Sequence, residues 1–183
     1  MFTLLYAGNL GLGHDLDTVV RALTHLNGQV NIRAVFVGEG KARLPLMNLT
    51  ENLGLHNIKF QRPVPLYRLS DLLAEGDVHV VSQKLGTEGL IVPSKIYSVL
   101  AAARPTLFIG PNDCEPAVIV RESCSGIVVQ PGDVHGTAEA IKQLASDPDL
   151  RREMGRRARE YYEEHFGRHK SVSRIIQVIE SIT

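Results

Sequence analysis

Short apolar runs rich in Val, Ile and Phe alternate along this chain with stretches patterned for helices, and few architectures accommodate that alternation. The runs are Phe2–Ala7, Ile32–Val37, Ile58–Phe60, Val78–Val81, Thr106–Ile109 and Gly126–Val129. They read largely as continuous apolar runs, as strands of a parallel sheet covered on both sides do. Between the first two, Leu16, Val19, Val20, Leu23 and Leu26 fall on one helical stripe. Further helical patterns cover Ala42–Leu53, Tyr67–Glu75, Ser94–Ala103, Glu115–Glu122 and Thr137–Ser146. The alternation predicts an α/β fold: a doubly wound, Rossmann-like parallel sheet with helices on both faces.

The C-terminal texture is different. From Asp147 to Glu164 charges alternate around Leu150, Met154, Ala158 and Tyr161, which recur at helical spacing. Glu153/Arg157 and Arg156/Glu160 stand at i, i+4, each pair contributing about 0.2–0.5 kcal/mol to an exposed helix. A second helix, roughly Lys170–Ile182, carries Val172, Ile175, Ile176 and Ile179. The arginines of Arg151–Arg159 are interleaved with glutamates, which suits a solvated helix better than a membrane-surface or acidic-partner patch. No repeat, low-complexity tract or linker interrupts the chain, so residues 1–183 read as one domain with charged helices over 147–183.

Composition excludes several functions. Lys and Arg total 20 and Asp and Glu total 20, a balance unlike that of a domain that neutralises nucleic-acid phosphates. There is no Trp and aromatics are 5%, which leaves little for stacking bases, so no nucleic-acid partner is expected. A hydrophobic fraction of 44% supplies a core and excludes disorder. Cys114 and Cys124 form no CxxC pair, which fits a reducing cytoplasm and neither a zinc site nor a disulfide framework. His56, His79 and His135 lack ligand spacing, so no metal is expected. No run approaches a membrane span and no signal pattern opens the chain. A sequence that opens directly on a strand reads as part of something longer.

Two glycine-rich turns follow the first two strands. In Gly8-Asn9-Leu10-Gly11-Leu12-Gly13-His14-Asp15, the glycines let backbone N–H groups approach an anion at the start of the next helix. The spacing is neither the dinucleotide fingerprint G-x-G-x-x-G nor a P-loop, which needs Lys and Ser or Thr where His14 and Asp15 stand. Tight strand–helix packing and phosphate binding both remain open for this loop, as do a loop position and a phosphate contact for His14. The second turn, Gly38-Glu39-Gly40, puts Glu39 where a NAD-binding domain keeps its ribose carboxylate, but a solvent-exposed turn fits it better. Later, Gly86 to Val92 leads through Pro93 into a helix that Arg104-Pro105 ends. Pro93 pre-sets the backbone and Ser94 is a suitable N-cap, so the Ser94 and Lys95 amides and the Lys95 cation would meet a diphosphate at the carboxyl ends of the strands. Arg104 reads as a helix C-terminal charge.

The run Pro93-Ser94-Lys95-Ile96-Tyr97-Ser98-Val99-Leu100-Ala101-Ala102-Ala103-Arg104-Pro105 resembles the signature P-[ST]-K-L-x-E-x-[LM]-A-x-G-x-P of GT-B glycosyltransferases of family 4. Tyr6 to Gly11, Phe36 to Gly40, Ile58 to Val64, Leu73 to Val78 and Ala158 to Phe166 are similar to family elements in the same order, so the resemblance spans essentially the whole chain. It implies the donor-binding C-terminal half of a two-domain enzyme. Such an enzyme moves a sugar from a nucleotide diphosphate sugar to a saccharide or lipid-linked acceptor, with retention and without metal or cofactor. The partners implied are a UDP- or GDP-sugar and an N-terminal acceptor domain absent from these residues. The helices of 147–183 would pack back toward that domain. Localisation would be cytoplasmic, with membrane contact at the inner face only through the absent domain.

Residue by residue, the resemblance places the diphosphate between Gly8, Asn9, Gly11, Gly13 and His14 on one side and Ser94 and Lys95 on the other. The base falls at Arg62, Pro63 and Val64, and the donor sugar at Glu88, Gly89, Leu90, Ile91 and Val92. Three positions depart from the family pattern. Ser98 stands where a glutamate holds the ribose, so it would give one uncharged hydrogen bond. The partner glutamate position is Leu90, with Glu88 two residues earlier. Asn9 and His14 stand where an Arg and a nearby Lys are common, which leaves more of the leaving-group charge to Lys95. Other readings of the same architecture are a nucleotide-sugar epimerase half, a non-catalytic nucleotide-binding module and a NAD-binding domain.

Overall fold

A computed structural model of the chain describes residues 1–26, 31–87, 89–91 and 93–181. Six strands, β1 (Phe2–Ala7), β2 (Ile32–Val37), β3 (Ile58–Gln61), β4 (Val78–Ser82), β5 (Thr106–Ile109) and β6 (Gly126–Val129), form one sheet in the order β3-β2-β1-β4-β5-β6. Every pairing is parallel. The order reverses between β1 and β4, and a doubly wound sheet opens its ligand crevice at such a switch point, beyond the carboxyl ends of the strands.

The helices are α1 (Asp17–His25), α2 (Arg43–Asn52), α3 (Leu69–Glu75, entered through a 3-10 turn at Leu66–Arg68), α4 (Lys95–Ala101), α5 (Glu115–Glu122), α6 (Val134–Ser146), α7 (Pro148–His165) and α8 (Arg168–Ser181). Alternation along the strands divides the core. Leu4, Tyr6, Val80 and Leu107 pack with Val19 and Leu23 of α1 and Ile141 of α6. On the other face Val81 and Phe108 pack with Ile96 and Leu100 of α4, Val120 of α5 and Ala158 of α7, while Leu5 and Val37 meet Leu72 of α3. All five residues of β4 are buried, as a central strand covered on both faces requires.

Helix ends differ from the sequence expectation for identifiable reasons. Asp133 accepts the Gly136 N–H at 2.8 Å and starts α6 at Val134, three residues before Thr137. α4 begins at Lys95 with Ser94 in the N-cap position, as the sequence suggests, but Ser94 has helical backbone angles and its side chain makes no cap bond among the described residues. α4 stops at Ala101, because Ala103 turns left-handed (φ 54°) and the Arg104 N–H returns to the Val99 carbonyl. The α7 salt bridges Arg157–Glu153 (2.7 Å) and Arg156–Glu160 (2.5 Å) form as the spacing predicts, and both are exposed. α7 itself lies on this domain: Arg159 donates to the Ala101 carbonyl at 2.6 Å, and Gly155 lets the Ala103 backbone approach. No helix among the described residues is long and apolar enough to cross a membrane.

Candidate functional site

The crevice is built from two interlocked glycine turns. Past β1, the Gly8 N–H donates to the Val37 carbonyl and the Leu10 N–H to the Glu39 carbonyl, each at 2.8 Å. Gly38 (φ 151°) lies so close that a Cβ on it would run into the Gly8 carbonyl oxygen. The Gly38–Gly40 turn is therefore more than a solvent-exposed connection, for Gly38 is buried beneath the first loop. Glu39 is exposed and pairs with Arg43 at 3.7 Å.

Lys95, at the start of α4, reaches across this platform. Its aliphatic end covers Gly8 where a side chain would otherwise sit, and its Nζ lies 5.1 Å from the centre of the Tyr6 ring. The Tyr6 hydroxyl is turned away, donating to the Asn9 carbonyl at 2.5 Å. His14 Nε2 stands 3.5 Å from Lys95 Nζ. His14 Nδ1 is 2.7 Å from the Ser82 carbonyl, an acceptor only, so the ring proton belongs on Nδ1 and Nε2 offers its lone pair. Burial lowers the His14 pKa below the ordinary histidine value, and the Lys95 charge lowers it further against the Ser82 bond, which raises it. Burial also lowers the Lys95 pKa. No carboxylate among the described residues forms a salt bridge with Lys95.

Gly8 and His14 thus come together with Lys95, while Asn9 and Gly11 lie beside them on the same loop and Gly13 meets Ile91. Ser94 is exposed beside it. Pro63 and Val64 line a cavity of about 340 Å³ with Gly8, Asn9, Gly38 and Leu69. Arg62 is exposed and is not among the residues lining it. Ser98 is exposed on α4, not core-facing, and lines a neighbouring groove of about 450 Å³ with Leu66, Leu69 and Ser70. Leu69 belongs to both, so the two spaces adjoin.

Of the residues expected at the donor sugar, Gly89 and Leu90 are exposed, and Ile91 is half-buried with its Cδ1 in the space a Cβ on Gly13 would take. Glu88 and Val92 lie outside the described residues. Gln83, which the sequence patterns did not pick out, is buried under this loop; its only signal was an amide directly after an apolar strand. Clefts of about 640 and 660 Å³ lie along β6 and α6 and between Arg104 and α7. They are larger, but neither touches the carboxyl ends of β1 and β4, where the convergent polar groups are.

The family profile described as "Glycosyl transferases group 1" matches residues 2–161. WcaI of Escherichia coli (strain K12), assigned as a glycosyl transferase of colanic acid biosynthesis, is 32% identical over 143 residues, covering 76% of this chain and 34% of WcaI. The N-acetyl-alpha-D-glucosaminyl L-malate synthase of Bacillus anthracis is 26% identical over 173 residues, 93% of this chain and 43% of that enzyme. The chain therefore spans well under half the length of these relatives. Among solved structures, HepE of Anabaena in complex with UDP superposes with a TM-score of 0.82 at 18% identity, over 98% of this chain and 49% of HepE. A second HepE structure holds UDP-glucose. At that identity the likeness speaks for the fold.

Proposed function

The chain belongs to the group 1 glycosyl transferases, and on that premise we propose that it is the donor-binding part of an enzyme transferring a sugar from a nucleotide diphosphate sugar to a saccharide or lipid-linked acceptor. One observation carries this reading: the Lys95 ammonium, partly buried over Gly8 and 3.5 Å from a neutral His14, has no carboxylate paired to it among the described residues. A half-buried cation without a counter-charge, beside glycine backbone at a switch point, is suited to an anion.

In this reading Lys95 and His14 take the diphosphate, with Gly8, Asn9, Gly11, Gly13 and Ser94 around it. Pro63 and Val64 face the base, Ser98 the ribose, and Gly89 to Ile91 the sugar. As the sugar–phosphate bond breaks, charge builds on the leaving diphosphate. Lys95 stabilises it, and His14 becomes a second donor once the anion restores its proton. The retaining outcome implied by the resemblance, and independence from metal, belong to the same reading. Relatives solved with UDP and UDP-glucose favour a uridine donor.

The acceptor would be held by a further domain, and Val172, Ile176, Val178 and Ile179, exposed on α8, give it an apolar surface to meet. Cys114 and Cys124 are not joined to each other as a disulfide, which suits the cytoplasm. Calorimetry with UDP, UDP-glucose, GDP and NAD tests the reading. UDP-glucose or UDP should bind, and the chain alone should transfer no sugar, because both reactants must be positioned in one cleft. Binding of NAD alone would replace this reading with a dehydrogenase-type module.

A further inference from the structure

Gln83 follows the last residue of β4 and is 1% exposed. Its backbone N–H donates to the Ile109 carbonyl at 2.8 Å, extending the β4–β5 pairing. Its side-chain Nε2 donates to the Ile91 carbonyl at 3.2 Å, while its Oε1 is buried with no hydrogen-bond partner among the described residues. A position filled for packing alone gains nothing from a half-satisfied amide, since a methionine of similar length would bury no polar atom. What distinguishes the glutamine is its bond to Ile91.

That bond holds a short turn. The Leu90 and Ile91 N–H groups both donate to the Thr87 carbonyl, at 3.1 and 3.2 Å, and Thr87 Oγ1 donates to the Lys84 carbonyl at 2.7 Å. The Lys84 N–H reaches the Gly13 carbonyl at 2.9 Å, and the Ile91 side chain closes over Gly13. Gly86 and Gly89 have φ of 79° and 76°, left-handed angles that glycine adopts without steric strain. Leu90 stands 80% exposed at the crest. Gln83, Gly89, Ile91, Asp113 and Glu115 together wall a cavity of about 310 Å³.

We propose that Gln83 is a positioning residue for the sugar end of the donor: by fixing the Ile91 carbonyl it holds Gly89 and Leu90 where they border the sugar, without touching the nucleotide. This rests on the donor reading given above. Gln83→Met keeps the length and removes the amide. In the ligand-free chain the Leu90 and Ile91 amides of this variant should exchange with solvent about tenfold faster, while those of β1 and β5 keep their parent rates. Its affinity for UDP should stay within about twofold of the parent, while affinity for UDP-glucose falls about fivefold relative to UDP. Gln83→Glu, which turns a carboxylate toward the Ile91 carbonyl, should give both effects. Unchanged exchange at Leu90 and Ile91, or equal losses for UDP and UDP-glucose, overturns the proposal. If the parent binds neither nucleotide, the donor reading falls, and the exchange rates still decide whether Gln83 holds the turn.

Discussion

Lys95 Nζ and His14 Nε2 face each other at 3.5 Å, 81 residues apart in sequence, with no carboxylate paired to the lysine among the described residues. Two full charges of the same sign at that separation and burial would repel, so one partner stays neutral; burial and the Lys95 charge make it His14, whose single ring proton the Ser82 carbonyl fixes on Nδ1. The pair is a single cation with a second one in reserve. An arriving diphosphate would supply the charge that makes the second protonation favourable.

Binding should therefore depend on pH through His14. Its pKa in the free chain is lowered, and a bound diphosphate raises it. The bound form then holds more protons, so affinity rises as pH falls from the bound pKa and levels off below the free one. UDP-glucose is the suitable ligand, because its esterified diphosphate does not titrate near neutrality. Between about pH 8 and pH 6 its affinity should rise about threefold in the parent. It should stay flat in His14→Asn, whose amide still reaches Ser82. Equal slopes in both proteins would remove His14 from the site.

Two neighbouring glycines should fail in different ways. A Cβ on Gly38 would meet the Gly8 carbonyl oxygen, which is backbone and cannot step aside, so Gly38→Ala should cost upwards of about 3 kcal/mol of stability. A Cβ on Gly8 would meet Lys95 Cε, the far end of a flexible side chain. Gly8→Ala should therefore fold at a cost of about 1–3 kcal/mol for its φ of 144°, yet lose nucleotide because Lys95 is displaced. Melting curves and calorimetry on both variants separate the effects. Full nucleotide affinity in folded Gly8→Ala would contradict the placement of Lys95.

Ser98 is exposed and faces a groove, so a longer acidic side chain has room there. A carboxylate accepts stronger hydrogen bonds from ribose hydroxyls than a serine makes. Ser98→Glu should tighten UDP binding by about 1 kcal/mol, roughly fivefold, with the melting temperature near that of the parent. An affinity equal to the parent's would place the ribose elsewhere.

His79, in the middle of β4, gives the fold its own pH dependence. It is 1% exposed and its Nε2–H donates to the Leu73 carbonyl at 2.9 Å. Burial, with the nearby Arg104 charge adding to it, lowers its pKa to about 4. The unfolded chain, whose His79 titrates near 6.5, takes up the proton first. Stability present above that value is thus lost progressively as pH falls toward 4, by up to about 3 kcal/mol. His14, also lowered, adds to the loss in the same direction. His79→Gln, which can still donate to Leu73, should flatten much of the loss in melts across this range. An unchanged profile would mean that other groups set it.

The strands were legible because burial of the central strands leaves few polar positions to interrupt the runs; β1, β2, β5 and β6 have the ends their apolar residues predict. Helix ends were less so. The left-handed residue closing α4 is Ala103, where the motif has a glycine, so only Arg104-Pro105 marked the stop, and it did so two residues late. Ser94 has the right side chain for a cap but the wrong backbone angles to use it. At the site, the family resemblance put Pro63 and Val64 at the base, and they line a cavity with Gly8 and Asn9 of the first glycine loop. It also grouped Arg62 with them, although that side chain lies outside the cavity they line. The contacts that organise the crevice, Lys95 over Gly8, Ile91 against Gly13 and Gln83 under Ile91, join residues with no local spacing to reveal them.

The central claim is that Lys95 is the cation of a nucleotide-diphosphate site, and calorimetric titration of UDP into the parent chain and Lys95→Met tests it most directly. Methionine keeps the aliphatic cover over Gly8 and removes only the charge. A charge-assisted hydrogen bond of about 1.5–3 kcal/mol, reduced here by partial exposure, should weaken binding by about tenfold with the melting temperature little changed. Saturable binding with the same affinity in both proteins would contradict the claim.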